Sequence, residues 1–348
     1  MSGWNLEETG TEKKEGGSNL KRVGLGLLVF FLLAGISAWV TLSEGEGKTR
    51  EAENMAKGAA DELQRDKVVD PFRSTNGKIL EKERLNLKSR YSDQVDVYRI
   101  VYLSEGVRVA GFLCKPKNHT EKLPAIIYNR GGIVDTAHVT ARTLKYLAKL
   151  SANKYVVIAS QYRGAPGSAG HLSMAGEDVK DVLNLFPLAD RLPYVDQNKK
   201  VMLGFSRGGM MTYMALKEGV DVQAAATVGG VADLSLLYEQ SGDVFRNPLS
   251  RLVGDPLLDS KEYQIRSAIN WADELRVPLL ILHGLDDHTV SPEHSKRLAE
   301  RMVDLGYEHR LVLVPGGNHY LTNRAQVRDR EILNWFDHYL REDGTPME

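Results

Sequence analysis

Ser206, Asp287 and His319 are the side chains of this chain whose types and settings could together do covalent chemistry. Ser206 lies in Gly204-Phe205-Ser206-Arg207-Gly208, which follows the apolar run Val201-Met202-Leu203 and precedes a helix-like segment, Gly209 to Lys217. Between a strand and a helix, G-x-S-x-G makes a sharp turn that lifts the hydroxyl out of a sheet. A serine on so tight a turn has a strained backbone, and side chains two residues either side would collide, so both places take glycine. The N–H of Arg207 is then free to face an oxyanion. A hydroxyl is a poor nucleophile until a base takes its proton, and that base must be held in the right tautomer by a carboxylate.

In folds with such a turn the chain order is Ser, then Asp or Glu, then His, each just past the end of a strand. The run Pro278 to Leu282 enters His283-Gly284-Leu285-Asp286-Asp287-His288, and Asp287 is the acid of choice with Asp286 as the alternate. Leu311 to Val314 enters Pro315-Gly316-Gly317-Asn318-His319, where two glycines let the loop bend back over the turn. His319 follows the final strand; His288 is its rival, but it would compete with its own neighbour Asp287. Without Ser206 the acid loop would read as a solvated Asp/Gly turn. His283-x-x-Asp286-Asp287-His288 faintly resembles the metal cluster of metallo-β-lactamases, but Leu285 stands where that pattern needs its second histidine, and no metal is expected.

The elements that must position these groups follow from periodicity. Val95 to Tyr102 and Arg108 to Cys114 read as a hairpin around Ser104-Glu105-Gly106, and residues 72–95 before it are weakly patterned. Ala125 to Tyr128, Tyr155 to Ala159, Val201 to Leu203, Val222 to Val228, Pro278 to Leu282 and Leu311 to Val314 read as strands. Thr140 to Leu150, Glu177 to Phe186, the segment after Ser206, Pro292 to Leu305 and Ala325 to Leu340 read as helices. Strands alternating with helices after a hairpin imply an α/β fold, a mostly parallel sheet covered on both faces. A net charge of −1, from 45 basic and 46 acidic residues, offers no field for nucleic acid. The single cysteine, Cys114, excludes an internal disulfide and a cysteine-based zinc site.

Val23 to Leu42 carries no charge, and its twenty residues at about 1.5 Å each span roughly the 30 Å of a bilayer's hydrocarbon core. Lys21 and Arg22 precede it and Glu44 and Glu46 follow it, which places residues 1–22 in the cytoplasm and the rest outside. A cleaved signal peptide would have a shorter apolar core, and a buried core helix would need something to pack against. The expected organisation is a cytoplasmic tail (1–22), a transmembrane anchor (23–42), a stalk (43–95) and a catalytic domain (96–343).

Several motifs together resemble the catalytic domain of the prolyl oligopeptidase family, over roughly Asp96 to Leu340. They are Ile127-Tyr128-Asn129-Arg130-Gly131-Gly132, Gln161-Tyr162-Arg163-Gly164 with Gly176-Glu177-Asp178-Val179-Lys180-Asp181-Val182, Gly204 to Gly209, Arg266 to Asn270 with Ala272-Asp273 and Pro278, and His283-Gly284-x-x-Asp287-x-x-Val290. The resemblance implies an α/β-hydrolase fold with an eight-stranded, mostly parallel sheet, no cofactor, and hydrolysis through an acyl-enzyme. Two departures stand out. Family oligopeptidases place a tyrosine just before the Gly-Gly pair as second oxyanion donor, and here Arg130 stands there, with Tyr128 two residues earlier. The second donor is then a backbone N–H near Gly131 or the Arg130 side chain, beside the Arg207 N–H. They also carry a β-propeller; the 53 residues from Ser43 to Val95 are too few for one, at about 40–45 residues a blade. Ala232 to Ala272 is expected to form a small helical cap instead.

The expectation is therefore a membrane-anchored serine hydrolase acting on a peptide or small-molecule substrate, with a carboxylesterase and a non-catalytic binding module as the alternatives. Arg163 is expected to pair with Glu177 or Asp178. Oligomeric state is left open.

Overall fold

The computed structural model describes residues 74–132 and 138–341. The chain divides into two units, Met1–Asp70 and Pro71–Glu348, and every described residue belongs to the second. The apolar span 23–42 and its flanks lie outside the described residues, among which no helix is long and apolar enough to cross a membrane.

Nine strands among the described residues form one sheet: β1 (Ile79–Leu85), β2 (Val95–Ser104), β3 (Val107–Pro116), β4 (Leu123–Asn129), β5 (Val156–Ser160), β6 (Val195–Phe205), β7 (Ala224–Val228), β8 (Leu279–Gly284) and β9 (His309–Val314). The spatial order is β1-β2-β3-β5-β4-β6-β7-β8-β9. From β5 to β9 neighbouring strands run parallel, and β1 to β3 form an antiparallel edge that joins β5. The expected eight strands become nine because β1 lies inside the stretch read as stalk. All but its two end residues are exposed, so it shows no hydrophobic alternation, and the sheet starts well before Asp96.

Strand side chains divide by the period of two. Ala125, Ile127, Met202, Leu279 and Ile281 enter a core on one face, while Ile126, Tyr128, Val201, Leu203, Leu280 and Leu282 enter the core on the other. The second face is covered by α1 (Ala141–Ala152), whose N-cap Thr140 accepts the Thr143 N–H, and by the C-terminal helix. On the first face lie α2 (Val179–Leu183), α3 (Leu185–Asp190), α4 (Arg207–Lys217), the short α5 (Leu234–Gln240), α6 (Asp243–Leu252) and α7 (Ser260–Ile265), and α8 (Glu293–Leu305). The closing α9 (Ala325–Leu340) buries Arg328, Ile332, Trp335 and Phe336, spaced i, i+4, i+7 and i+8.

The single helix expected from Glu177 to Phe186 is two short ones. Pro187 has no N–H to donate to Leu183, so α2 stops there, and Pro187 falls within the first turn of α3, where no intrahelical donor is needed. The expected cap region holds α5 to α7, and Leu237 and Gln240 of α5 share a cleft with Asp287 and His288.

Candidate active site

The turn between β6 and α4 holds Ser206 at φ 55°, ψ −122°, a backbone region that non-glycine residues rarely occupy. The turn is closed by the Ser206 N–H, which donates to Val228 O at 2.9 Å, and by the Gly209 N–H, which donates to Ser206 O at 2.8 Å. Its glycines are obligatory: a Cβ at 204 would lie 2.2 Å from Gly208 O, and one at 208 would lie 1.9 Å from Asn129 O. The Arg207 N–H opens α4, in the first turn, where no intrahelical acceptor exists.

Asp287 is buried while Asp286 and His288 on either side are exposed. Its carboxylate collects four donors. Oδ1 accepts the N–H groups of Thr289 and Val290 at 2.8 and 3.0 Å; Oδ2 lies 2.6 Å from His319 Nδ1 and 3.0 Å from His283 Nε2. Burial alone would raise this carboxyl's pKa, but the hydrogen bonds from His283, His319 and the Val290 N–H hold it well below the usual carboxylate range. Because a carboxylate only accepts, His319 carries its proton on Nδ1 and presents a bare Nε2. That Nε2 is buried and has no hydrogen-bond partner among the described residues. The ring rests on Gly229, where a Cβ would lie 3.0 Å from Nδ1, one residue beyond the carbonyl that anchors Ser206.

His283 escaped sequence reasoning except as part of a motif. Its Nε2 faces the Val290 carbonyl at 2.9 Å as well as Asp287, so Nε2 carries the proton and Nδ1 accepts from the Ser295 hydroxyl at 2.7 Å. The i, i+4 spacing from His283 to Asp287 was the available signal.

Gly131 sits against the turn: a Cβ there would meet Tyr320 Oη at 2.5 Å, Phe205 O at 3.0 Å and Ser206 Cβ at 3.1 Å. Arg130 commits its guanidinium inside the fold. Nε and Nη2 donate to Gln161 O at 3.0 and 2.6 Å, Nη1 donates to Gly131 O at 3.1 Å, and the group lies 4.6 Å over the Tyr162 ring. Burial, with repulsion from Arg207, lowers its pKa to about 10, so it stays charged at neutral pH.

A second arginine ties the loop to the turn. The Arg207 side chain donates to Gly132 O at 3.0 Å and to Ser173 O, lies 5.1 Å over Tyr162, and pairs with Asp178, both partners fully buried. Arg163 finds Asp181 at 2.8 Å, with Glu177 at 3.8 Å, so of its two expected partners Glu177 is the outer one and Asp178 belongs to Arg207. A cavity of about 380 Å³ opens beside Gly131, walled by the rings of Tyr128, Tyr146, Phe205 and Tyr320. A larger cleft of about 440 Å³, around Arg84 to Val97, holds none of these groups.

Residues 141–343 match the sequence pattern of the prolyl oligopeptidase family. The uncharacterized peptidase YtmA of Bacillus subtilis is 33% identical over 259 residues, which are 74% of this chain and 98% of that protein. The chain belongs to the prolyl oligopeptidase family. Membership makes it a serine hydrolase. The uncharacterized peptidase YuxL of the same organism is 28% identical over 257 residues, 69% of this chain but 39% of its own length. Among solved structures, the acylaminoacyl peptidase of Pyrococcus horikoshii has the same fold, with a TM-score of 0.64 at 20% identity over 73% of this chain and 43% of its own. The chain thus spans about two fifths of those two proteins and nearly all of YtmA. Among the described residues there is no β-propeller blade, and the family's catalytic domain is what the sheet presents.

Proposed function

We propose that this family member is a serine peptidase in which Ser206 attacks a peptide carbonyl, His319 moves the proton and Asp287 orients and balances the imidazole. The observation that carries the reading is the 2.6 Å contact from His319 Nδ1 to a carboxylate kept ionised, which leaves an unpartnered Nε2 on a ring packed against Gly229, next to the Val228 carbonyl that receives the Ser206 N–H. When substrate binds, the Ser206 hydroxyl turns to Nε2 and gives up its proton as Oγ bonds to the carbonyl carbon. The Arg207 N–H and a donor at Gly131 hold the resulting oxyanion; each such donor is worth about 3 kcal/mol of barrier. Collapse of the intermediate breaks the C–N bond and His319 returns the proton to the leaving amine. Water then repeats the sequence on the acyl-enzyme. The relatives' names, peptidase and acylaminoacyl peptidase, support a peptide bond as the target.

The second part of the proposal is placement. The uncharged Val23 to Leu42 anchors the enzyme, and the preceding Lys21-Arg22 leaves the catalytic domain outside the cytoplasm. Protease added to intact cells should release that domain; protection until lysis reverses the orientation.

Fluorophosphonate labelling of wild type and Ser206→Ala, with a panel of p-nitrophenyl esters and aminoacyl or dipeptidyl anilides, tests the chemistry. Labelling and anilide cleavage that both vanish in Ser206→Ala support the peptidase. Turnover of esters alone makes it a carboxylesterase, and a folded wild type that never labels is a binding module.

A further inference from the structure

Arg130 does not fill the position opposite the Arg207 N–H, because its guanidinium is occupied by Gln161, Gly131 and Tyr162. It does have a phenol. Tyr320 follows His319 on the loop after β9, and its hydroxyl comes to within 2.5 Å of where a Gly131 Cβ would stand, while Ser206 Cβ flanks the same point at 3.1 Å. Tyr320 Oη and the nucleophile therefore face one another across the edge of Gly131, where a carbonyl under attack by Ser206 must lie. The geometry points to Tyr320 as the side-chain donor of the oxyanion hole, its hydroxyl hydrogen-bonding to the oxygen that becomes negative as Ser206 adds to the carbonyl. This rests on the serine peptidase reading.

The phenol's ring is held by two aromatic neighbours and its backbone by α9. Its ring stacks on His319 at 4.5 Å with 33° between planes and meets Phe205 edge-on at 5.9 Å. Arg328 of α9 donates to its carbonyl at 2.8 Å. A donor fixed in this way needs no reorganisation when charge develops, which is what makes such a contact effective. Burial raises the phenol's pKa above its ordinary value, against a hydrogen bond with Ser206 that lowers it, so Tyr320 stays a neutral O–H donor at physiological pH. No proton leaves Tyr320 at any stage.

The test compares full-length wild type with Tyr320→Phe, which keeps the ring and its two aromatic contacts, after checking that the two melt alike. kcat and KM are measured on an anilide that wild type cleaves, with the Ki of a matching trifluoromethyl ketone, which adds to the serine as a tetrahedral oxyanion. The expected result is a kcat lower by about 10²-fold, KM within about threefold, and a ketone Ki raised by about the same factor as kcat falls. Fluorophosphonate should still label both proteins at Ser206. A kcat within threefold of wild type, or higher, overturns the inference, as does a fall in kcat with no change in ketone Ki. A folded wild type that neither labels nor turns over any substrate removes the serine peptidase reading, and this role with it.

Discussion

Asp178→Asn tests how the oxyanion loop is held against the nucleophile turn. The replacement keeps the shape of the side chain and removes the negative charge facing Arg207, and both side chains are 0% exposed. Taking away one partner of a buried pair costs about 3–5 kcal/mol, because the remaining charge is left uncompensated. Arg207 would keep its hydrogen bonds to Gly132 O and Ser173 O and its place over Tyr162, and asparagine keeps an acceptor, so the low end applies. About 3 kcal/mol at roughly 2–4 °C per kcal/mol is a fall in Tm of about 6–12 °C. Calorimetry and urea melts of wild type and variant would measure it. Since Arg207 also grips the Gly132 carbonyl, kcat on an anilide should fall with little change in KM. A Tm within about 2 °C of wild type would refute the reasoning. It would mean that desolvation already cancels this pair, as the unpartnered Asp178 Oδ1 and Arg207 Nε would then explain.

Two further outcomes follow from the acid loop and its surroundings. Asp287→Asn should lower kcat by about 10⁴-fold, since an amide can offer an N–H to His319 and reverse its tautomer. It should also lower stability: the folded carboxyl's pKa lies below its unfolded value, so the stability advantage of wild type is complete above about pH 5 and shrinks as pH falls below about 4. An advantage that persists undiminished at pH 3 in urea melts contradicts this. His294 is buried on α8, and burial, with repulsion from His283 and Arg297, lowers its pKa to about 3. The unfolded chain takes up that proton near pH 6.5 and the native one does not, so acidification from there should cost about 1.4 kcal/mol per pH unit. His294→Gln should remove that part of the slope, and an unchanged slope between pH 6.5 and 4 argues against it.

What could be read from the residues was whatever local sterics or periodicity dictates. The turn at Ser206 was legible because two glycines four positions apart around a serine have few other uses between a strand and a helix, and their Cβ positions are indeed filled. The interior strands and α9 were legible because their burial alternates with the period of the element. β1 was not, because an exposed edge strand has no apolar face to show. His283 and Tyr320 were not either, since their contacts depend on how the loops after β8 and β9 bend. Partners such as Asp178 for Arg207 and Asp181 for Arg163 are selected by depth in the fold, and spacing along the chain says little about that.

The clamp of Arg328 on the Tyr320 carbonyl has a bearing on biosynthesis. Arg328 belongs to α9, which reaches the rest of the domain through the Lys149–Asp329 bridge to α1 and through Trp335 and Phe336 on the sheet. A ribosome makes these residues after all nine strands of the sheet, and domains dock their parts as synthesis allows. A hydrolase whose histidine loop is braced by a helix made after its strands would remain inert until that helix docks, and would acquire its cutting power only once the sheet is covered.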